Sequence, residues 1–178
     1  MDSLNISYAV MPANINEKAI RDKDFIVRAE KIARAKAEKI LEQYPDAIIL
    51  AGDSFAVNNG KVFEKPESIQ QAKEMLKEES GGRGMFYAGF CYIDQKDNIN
   101  FSTTITVNFN MRVLQEIEIE NFVKSFPVLT WSGALFPGNV YGASMINKIE
   151  GSLSAFIYGF PTELIIEYLN KSGIEVHP

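Results

Sequence analysis

MFYAGFCYIDQKDNINFSTTITVNF, residues 85–109, holds two strand patterns of opposite kind around one polar insert. MFYAGFCYI (85–93) is apolar at successive positions, as a strand covered on both faces should be. FSTTITVNF (101–109) alternates instead. Phe101, Ile105, Val107 and Phe109 share one side with Thr103, and Ser102, Thr104, Thr106 and Asn108 share the other. DQKDN between them reads as a turn, so the two runs predict an antiparallel hairpin.

Helical patterns lie on either side of this hairpin. From Phe25, apolar and small residues recur every three or four positions through Ala29, Ile32, Ala33, Ala37, Ile40 and Leu41. Asp22 or Asp24 is available as N-cap, and Pro45 closes the helix. AIILA (47–51) follows as a buried strand that ends at Asp53. Ser68 and Gln71 form an S-x-x-Q capping pattern before Ile69, Ala72, Met75 and Leu76, and Gly81 and Gly82 stop that helix. Glu116–Ser125 predicts a short helix with Ile119, Phe122 and Val123 inward. Residues 131–144 read as loop, SLSAFIYGFP as strand then turn, and Thr162–Lys171 as a closing amphipathic helix. ISYAV (6–10) reads as an opening strand. Helices interleave with buried and hairpin-like strands, so the class is α/β or α+β with a mixed sheet.

Composition narrows the chemistry. The 178 residues, 46% hydrophobic and 23% charged, suit one globular domain, taken as 1–178. A net charge of −5 with interspersed signs gives no footprint for nucleic acid. No apolar run approaches the roughly 20 residues of a membrane span, and no basic-then-apolar leader opens the chain, which predicts a cytoplasmic protein with no membrane partner. Cys91 is the only cysteine and His177 the only histidine. Histidine general-base chemistry and Cys/His zinc sites are thereby disfavoured, leaving carboxylates, lysines, backbone amides and a bound metal.

Taken singly, the polar residues have ordinary explanations. Glu17 in PANINE reads as a loop carboxylate. Asp53, after AIILAG, stands where ligands favour the carboxyl ends of strands, but a turn aspartate explains it too. Lys36 lies on the first helix. Lys65, before Pro66, is held extended. SGGRG (80–84) follows a helix rather than preceding one, so a helix stop explains it better than a phosphate loop, with Arg83 a phosphate contact at most. Trp131, Phe136 and Tyr141 suit either base stacking or anchoring of a loop.

Together these residues carry a resemblance. P-A-N-I-N-E (12–17), I-A-R-A-K-A (32–37), G-D-S (52–54), E-K-P (64–66), S-G (80–81), the T-x-V-x-F region (105–109), I-E-G (149–151) and G-F-P (159–161) resemble, in order and separation, the motifs of the Maf family. These are nucleoside triphosphate pyrophosphatases related in fold to the inosine triphosphatases. The similarity runs from about Tyr8 to Leu169. It implies an elongated mixed sheet with helices on both sides and a nucleotide cleft between two lobes. It also implies a homodimer and a divalent cofactor, magnesium or manganese, with cobalt a further option. By the same resemblance, Glu17 and Asp53 hold the metal or activate water, with Asp53 the better base. Lys36 and Lys65 then lie on the triphosphate, with Arg83 as a further substrate contact.

The chain departs from the family at several places. The usual opening S-x-S-P-R-R has no counterpart, because MDSLNISYAV matches the segment that follows it. Either the start lies upstream, or that phosphate-binding turn is lost. Asn16 replaces an aspartate, Gly84 and Ala88 replace a histidine and a threonine, and LFPGNVYG lacks the family's loop glutamine. Such departures imply either an enzyme of altered or weakened activity or, as the alternative, a non-catalytic nucleotide-binding or assembly protein. The base accepted is left open.

Overall fold

The computed structural model describes residue 4 and residues 6–176, so His177 lies outside the described residues. In chain order the elements are α1 (Phe25–Leu41), β1 (Ile49–Asn58), β2 (Lys61–Phe63), α2 (Ile69–Glu79), β3 (Arg83–Asp94), β4 (Ile99–Met111) and α3 (Glu116–Ser125). After these come α4 (Val140–Ser144), β5 (Ile146–Glu150), α5 (Leu153–Tyr158) and α6 (Thr162–Lys171), with short 3₁₀ turns at Glu17–Ala19, Val128–Thr130 and Ser132–Ala134. The strands form one antiparallel sheet in the order β2-β1-β3-β4-β5. Helices flank it, which is the α/β mixture that the interleaved patterns predict.

The chain divides into two compact units. The first comprises Met1–Asp53, Ala88–Ile105 and Gly159–Pro178; the second comprises Ser54–Tyr87 and Thr106–Tyr158. In the first unit, Asp24 caps α1, its carboxylate accepting from the backbone N–H groups of Ile26 and Val27. The apolar face of α1 packs Ala33 and Ala37 against Ile49, Cys91 and Ile93. Alternate residues of the same strand, Phe90 and Tyr92, pack against Ile165, Tyr168 and Leu169 of α6. Covered on both faces, β3 needs an apolar residue at nearly every position, which accounts for the unbroken run. Gly89 sets the spacing of α1. A Cβ there would stand 2.1 Å from the Ala29 carbonyl oxygen, so only glycine lets the helix lie this close.

In the second unit, Asn59 and Gly60 both take positive φ (49° and 76°) and turn β1 into β2, with Asn58 opposite Lys61. This is the two-residue turn that Asn-Gly favours. Ser68 caps α2 through the N–H of Gln71, and Gly81 at φ 69° ends it. β4 pairs with β5, Asn108 opposite Glu150 and Asn110 opposite Lys148. A Cβ at Gly84 would stand 2.3 Å from the ring of Phe109, which itself packs on Phe156.

Four expectations fail locally. Residues 6–10 form no strand, and Val10 is 82% exposed, so the β-favouring sequence ISYAV meets no sheet edge. Asp53 does not end a strand; β1 continues five residues beyond it. Residues 153–158 are helix rather than strand, because Ser152 caps the segment, its Oγ accepting from Ala155 N at 3.2 Å. Within 131–144, the expected loop contains the turn at 132–134 and the helix α4, which Asn139 caps.

Candidate functional site

Three residues far apart in sequence meet in the first unit. Lys36, in the fourth turn of α1, points its ammonium at β1. Its Nζ lies 2.8 Å from Asp53 Oδ1 and 2.9 Å from Glu17 Oε1, and donates to the Gly52 carbonyl at 3.3 Å. Glu17 arrives on the 3₁₀ turn at Glu17–Ala19. The backbone at Asp53 is fixed from beside it. A Cβ at Gly52 would stand 2.9 Å from the Phe160 ring, so Gly52 of G-D-S and Phe160 of G-F-P are partners in packing.

The three side chains differ in access to water: 13% exposed for Asp53, 20% for Lys36 and 50% for Glu17. Burial pulls the Lys36 ammonium down, but the hydrogen bond and charge of Asp53, and then those of Glu17, outweigh it and leave its pKa above the usual 10.5. Lys36 is therefore a fixed cation between two carboxylates, and the cluster carries one net negative charge. Such a cluster attracts a cation through its open side, where Glu17 stands.

The donor set fits a divalent metal of the magnesium type. That ion takes one or two carboxylates and completes its shell with water and substrate phosphates. Glu17 and Asp53 supply two hard oxygens, and among the described residues no cluster of three or more acidic, histidine or cysteine side chains offers a complete cage. Ligation by these two residues thus leaves positions for phosphate.

Lys65 and Arg83 belong to the second unit. Lys65 is exposed between β2 and the buried Pro66. Arg83, exposed at the start of β3, lines a depression with Lys148 and Glu150 that the sequence reading did not single out. The alternation that put Asn108 on the polar side of β4 was the one signal for it. The aromatic stretch forms a ring cluster, with Trp131 5.4 Å from Phe136 and Phe126 5.5 Å from Tyr141. Tyr141 is 65% exposed. No helix among the described residues is long and apolar enough to cross a membrane.

The model of the Maf-like protein family matches residues 1–172. The chain belongs to the Maf family. Among its relatives, the dTTP/UTP pyrophosphatase of Treponema denticola is 31% identical over 191 residues, covering 99% of this chain and 92% of the relative. The dTTP/UTP pyrophosphatase of Acholeplasma laidlawii is 27% identical, covering 98% and 90%. The 7-methyl-GTP pyrophosphatase of Alkalilimnicola ehrlichii is also 27% identical, covering 97% and 86%. In this Maf chain the lysine of the K-A motif and the acid of the D-S motif are the ion-paired Lys36 and Asp53.

Proposed function

We propose that this chain is a metal-dependent nucleoside triphosphate pyrophosphatase that converts its substrate to the nucleoside monophosphate and pyrophosphate. The observation that carries this reading is the Lys36 ammonium held between Glu17 and Asp53. In the reaction, water attacks the α-phosphorus, a new phosphorus–oxygen bond forms, and the bond to the α–β bridging oxygen breaks. Asp53, the less exposed carboxylate, accepts the proton of the attacking water. Lys36 holds Asp53 in place through their ion pair, and offsets the charge that grows on the phosphoryl oxygens. A divalent cation bound by Glu17 and Asp53 would polarise those oxygens and favour ionisation of the water. The reaction calls for neither cysteine nor histidine.

Lys65 and Arg83 are the remaining substrate contacts, assigned from the resemblance. The family relationship further supports a homodimer in the cytoplasm, with residues 1–178 acting as one Maf-like domain. The test is pyrophosphate release from a panel of nucleoside triphosphates with magnesium, manganese or cobalt, comparing the wild type with Asp53→Asn and Glu17→Gln. Turnover that both substitutions leave unchanged contradicts the mechanism. The alternative, a nucleotide-binding or assembly protein without turnover, draws on the same ion pairs, because a lysine saturated by carboxylates is less available to phosphate. It requires a folded wild-type protein that releases nothing from any nucleotide.

A further inference from the structure

The sheet ends in two edge strands of different character. At one end β2 has only three residues, and its lysine is engaged: Lys61 lies 2.6 Å from Glu78 and 5.1 Å from the centre of the Phe63 ring. At the other end β5 has five residues, of which Asn147, Lys148, Ile149 and Glu150 are exposed. The bonding of β4 fixes which backbone groups of β5 face outward. Met111 N–H donates to the Gly82 carbonyl, on the β3 side, and Arg112 N–H to that of Met145, on the β5 side. Alternation along β4 therefore turns the backbone groups of Asn108 and Asn110 towards β5, where Glu150 and Lys148 stand opposite them. The N–H and C=O of Ile149, between those two, point away from the sheet. Among the described residues nothing beyond the ladder hydrogen-bonds to them.

Open backbone groups on an edge are a template for another strand, which an edge lysine or a bulge normally discourages. β5 has both, since the register shift between Asn110 and Met111 leaves Asn147 as an extra residue. These devices resist an arbitrary strand, but not a copy of β5, because I-N-K-I-E is complementary to itself about Ile149. In an antiparallel pair with its two-fold axis at Ile149, that residue faces its copy and the two exchange both backbone bonds. Lys148 then faces Glu150 of the other copy, at two symmetric places. Their own backbone groups are engaged with β4, so these are the closer type of pair, with about 4.5 Å between Cα atoms. An axis at Lys148 instead sets lysine against lysine, and one at Glu150 sets glutamate against glutamate, both unfavourable. Within one chain Lys148 already lies 2.6 Å from Glu150, and its hydrogen bond is the first influence holding that carboxyl below its ordinary range. A second copy turns two such pairs into one cluster of alternating charge. The pairing also covers Ile149, an exposed apolar side chain. So short a strand buries less than the roughly 800 Å² per partner of a standard interface, which makes the association concentration-dependent.

We propose that β5 is the surface through which two copies of this chain associate, pairing antiparallel about Ile149 so that Lys148 of each copy meets Glu150 of the other. The inference rests on the homodimer reading given above and gives it an interface. The test is sedimentation of the full chain over a range of concentrations, comparing the wild type with Lys148→Glu, Glu150→Lys and the double exchange that carries both. All three change exposed side chains, and circular dichroism checks that each variant is folded. Each single substitution should raise the dimer dissociation constant about tenfold or more, because it sets like charges opposite each other at two symmetric places, and the double exchange should restore it. Hydrogen exchange gives a second readout: the Ile149 amide should exchange freely in dilute protein and become protected at concentrations where the dimer forms. A dimer that the single substitutions leave unchanged, a double exchange as weak as the singles, or an Ile149 amide that stays open in the dimer would each overturn this interface while leaving the homodimer reading intact. A chain that is monomeric at every concentration would overturn both. Neither result depends on turnover, so the reading of Glu17, Lys36 and Asp53 stands or falls separately.

Discussion

Glu79 ends α2 with its side chain turned inward, and its replacement by glutamine makes a quantitative test of the second unit. Only 1% of the residue is exposed, and among the described residues Oε2 has no hydrogen-bond partner. Gly133, at φ 64°, presents no side chain to it; a Cβ there would stand 3.2–3.3 Å from the carboxylate oxygens. The charged groups nearby are committed elsewhere: Glu78 to Lys61, Lys77 to Glu116 and Lys73 to Glu120. Burial first, and then the charge of Glu78, raises the Glu79 carboxyl from its ordinary 4.5 to about 8. The native state therefore keeps a proton that the unfolded chain releases near 4.5. The neutral acid's contribution is fully present below that pH and is lost as pH rises towards 8. At about 1.4 kcal/mol per pH unit, the loss is bounded by roughly 5 kcal/mol, and relaxation around the charge lowers it to about 2–4. Glu79→Gln removes the ionisation while keeping the shape. In urea unfolding followed by fluorescence of Trp131, the only tryptophan, the variant should match the wild type within about 1 kcal/mol at pH 5 and exceed it by about 2–4 kcal/mol at pH 8. A difference that does not change with pH would refute the buried, unpaired state of Glu79.

Other substitutions test separate parts of the account. Asp53→Asn should lower turnover by about 10²–10³ while the fold, by circular dichroism, is kept. Lys36→Met should cause a similar loss of turnover; it should also remove a stabilisation that the wild type holds below pH 10.5 and loses as pH rises through the raised lysine value, read in unfolding curves between pH 9 and 12. Gly89→Ala places a methyl carbon against the Ala29 carbonyl oxygen and should cost about 1–3 kcal/mol, with turnover falling because α1 carries Lys36. In the second unit, the side-chain hydrogen bond from Arg112 is the largest influence holding Glu118 at about 2, so Arg112→Gln should bring acid unfolding to a higher pH, seen in a titration between pH 2 and 5.

Much of the fold was legible because local signals agreed with their surroundings. The spacing of Ala29, Ile32, Ala33 and Ala37 marked the buried face of α1, and the contrast between 85–93 and 101–109 gave the hairpin. Where the reading failed, a local pattern competed with a less visible one. Gly52 and Asp53 looked like the end of a strand, yet Asn59-Gly60 was the turn, and glycine at 52 serves Phe160. SLSAFIY reads as a strand, but the Ser152 cap makes it helical. Glu79 was legible in principle, since it lies three and four residues beyond the buried Leu76 and Met75; its charge disguised its face. No periodicity could unite Glu17, Lys36 and Asp53, because separate elements carry them. Only the resemblance brought them together before the structure did. The depression at Arg83, Asn108 and Asn110 depended on the register of β5, a strand that the sequence reading did not recognise.

The central claim is that Glu17, Lys36 and Asp53 form a catalytic cluster for pyrophosphate release. The most direct measurement is pyrophosphate produced from dTTP, UTP and a panel of other nucleoside triphosphates with magnesium, manganese or cobalt, by the wild-type protein beside Asp53→Asn. The account predicts metal-dependent release that the substitution lowers at least a hundredfold. Equal release by the two proteins, or none from any nucleotide by the folded wild type, would contradict it.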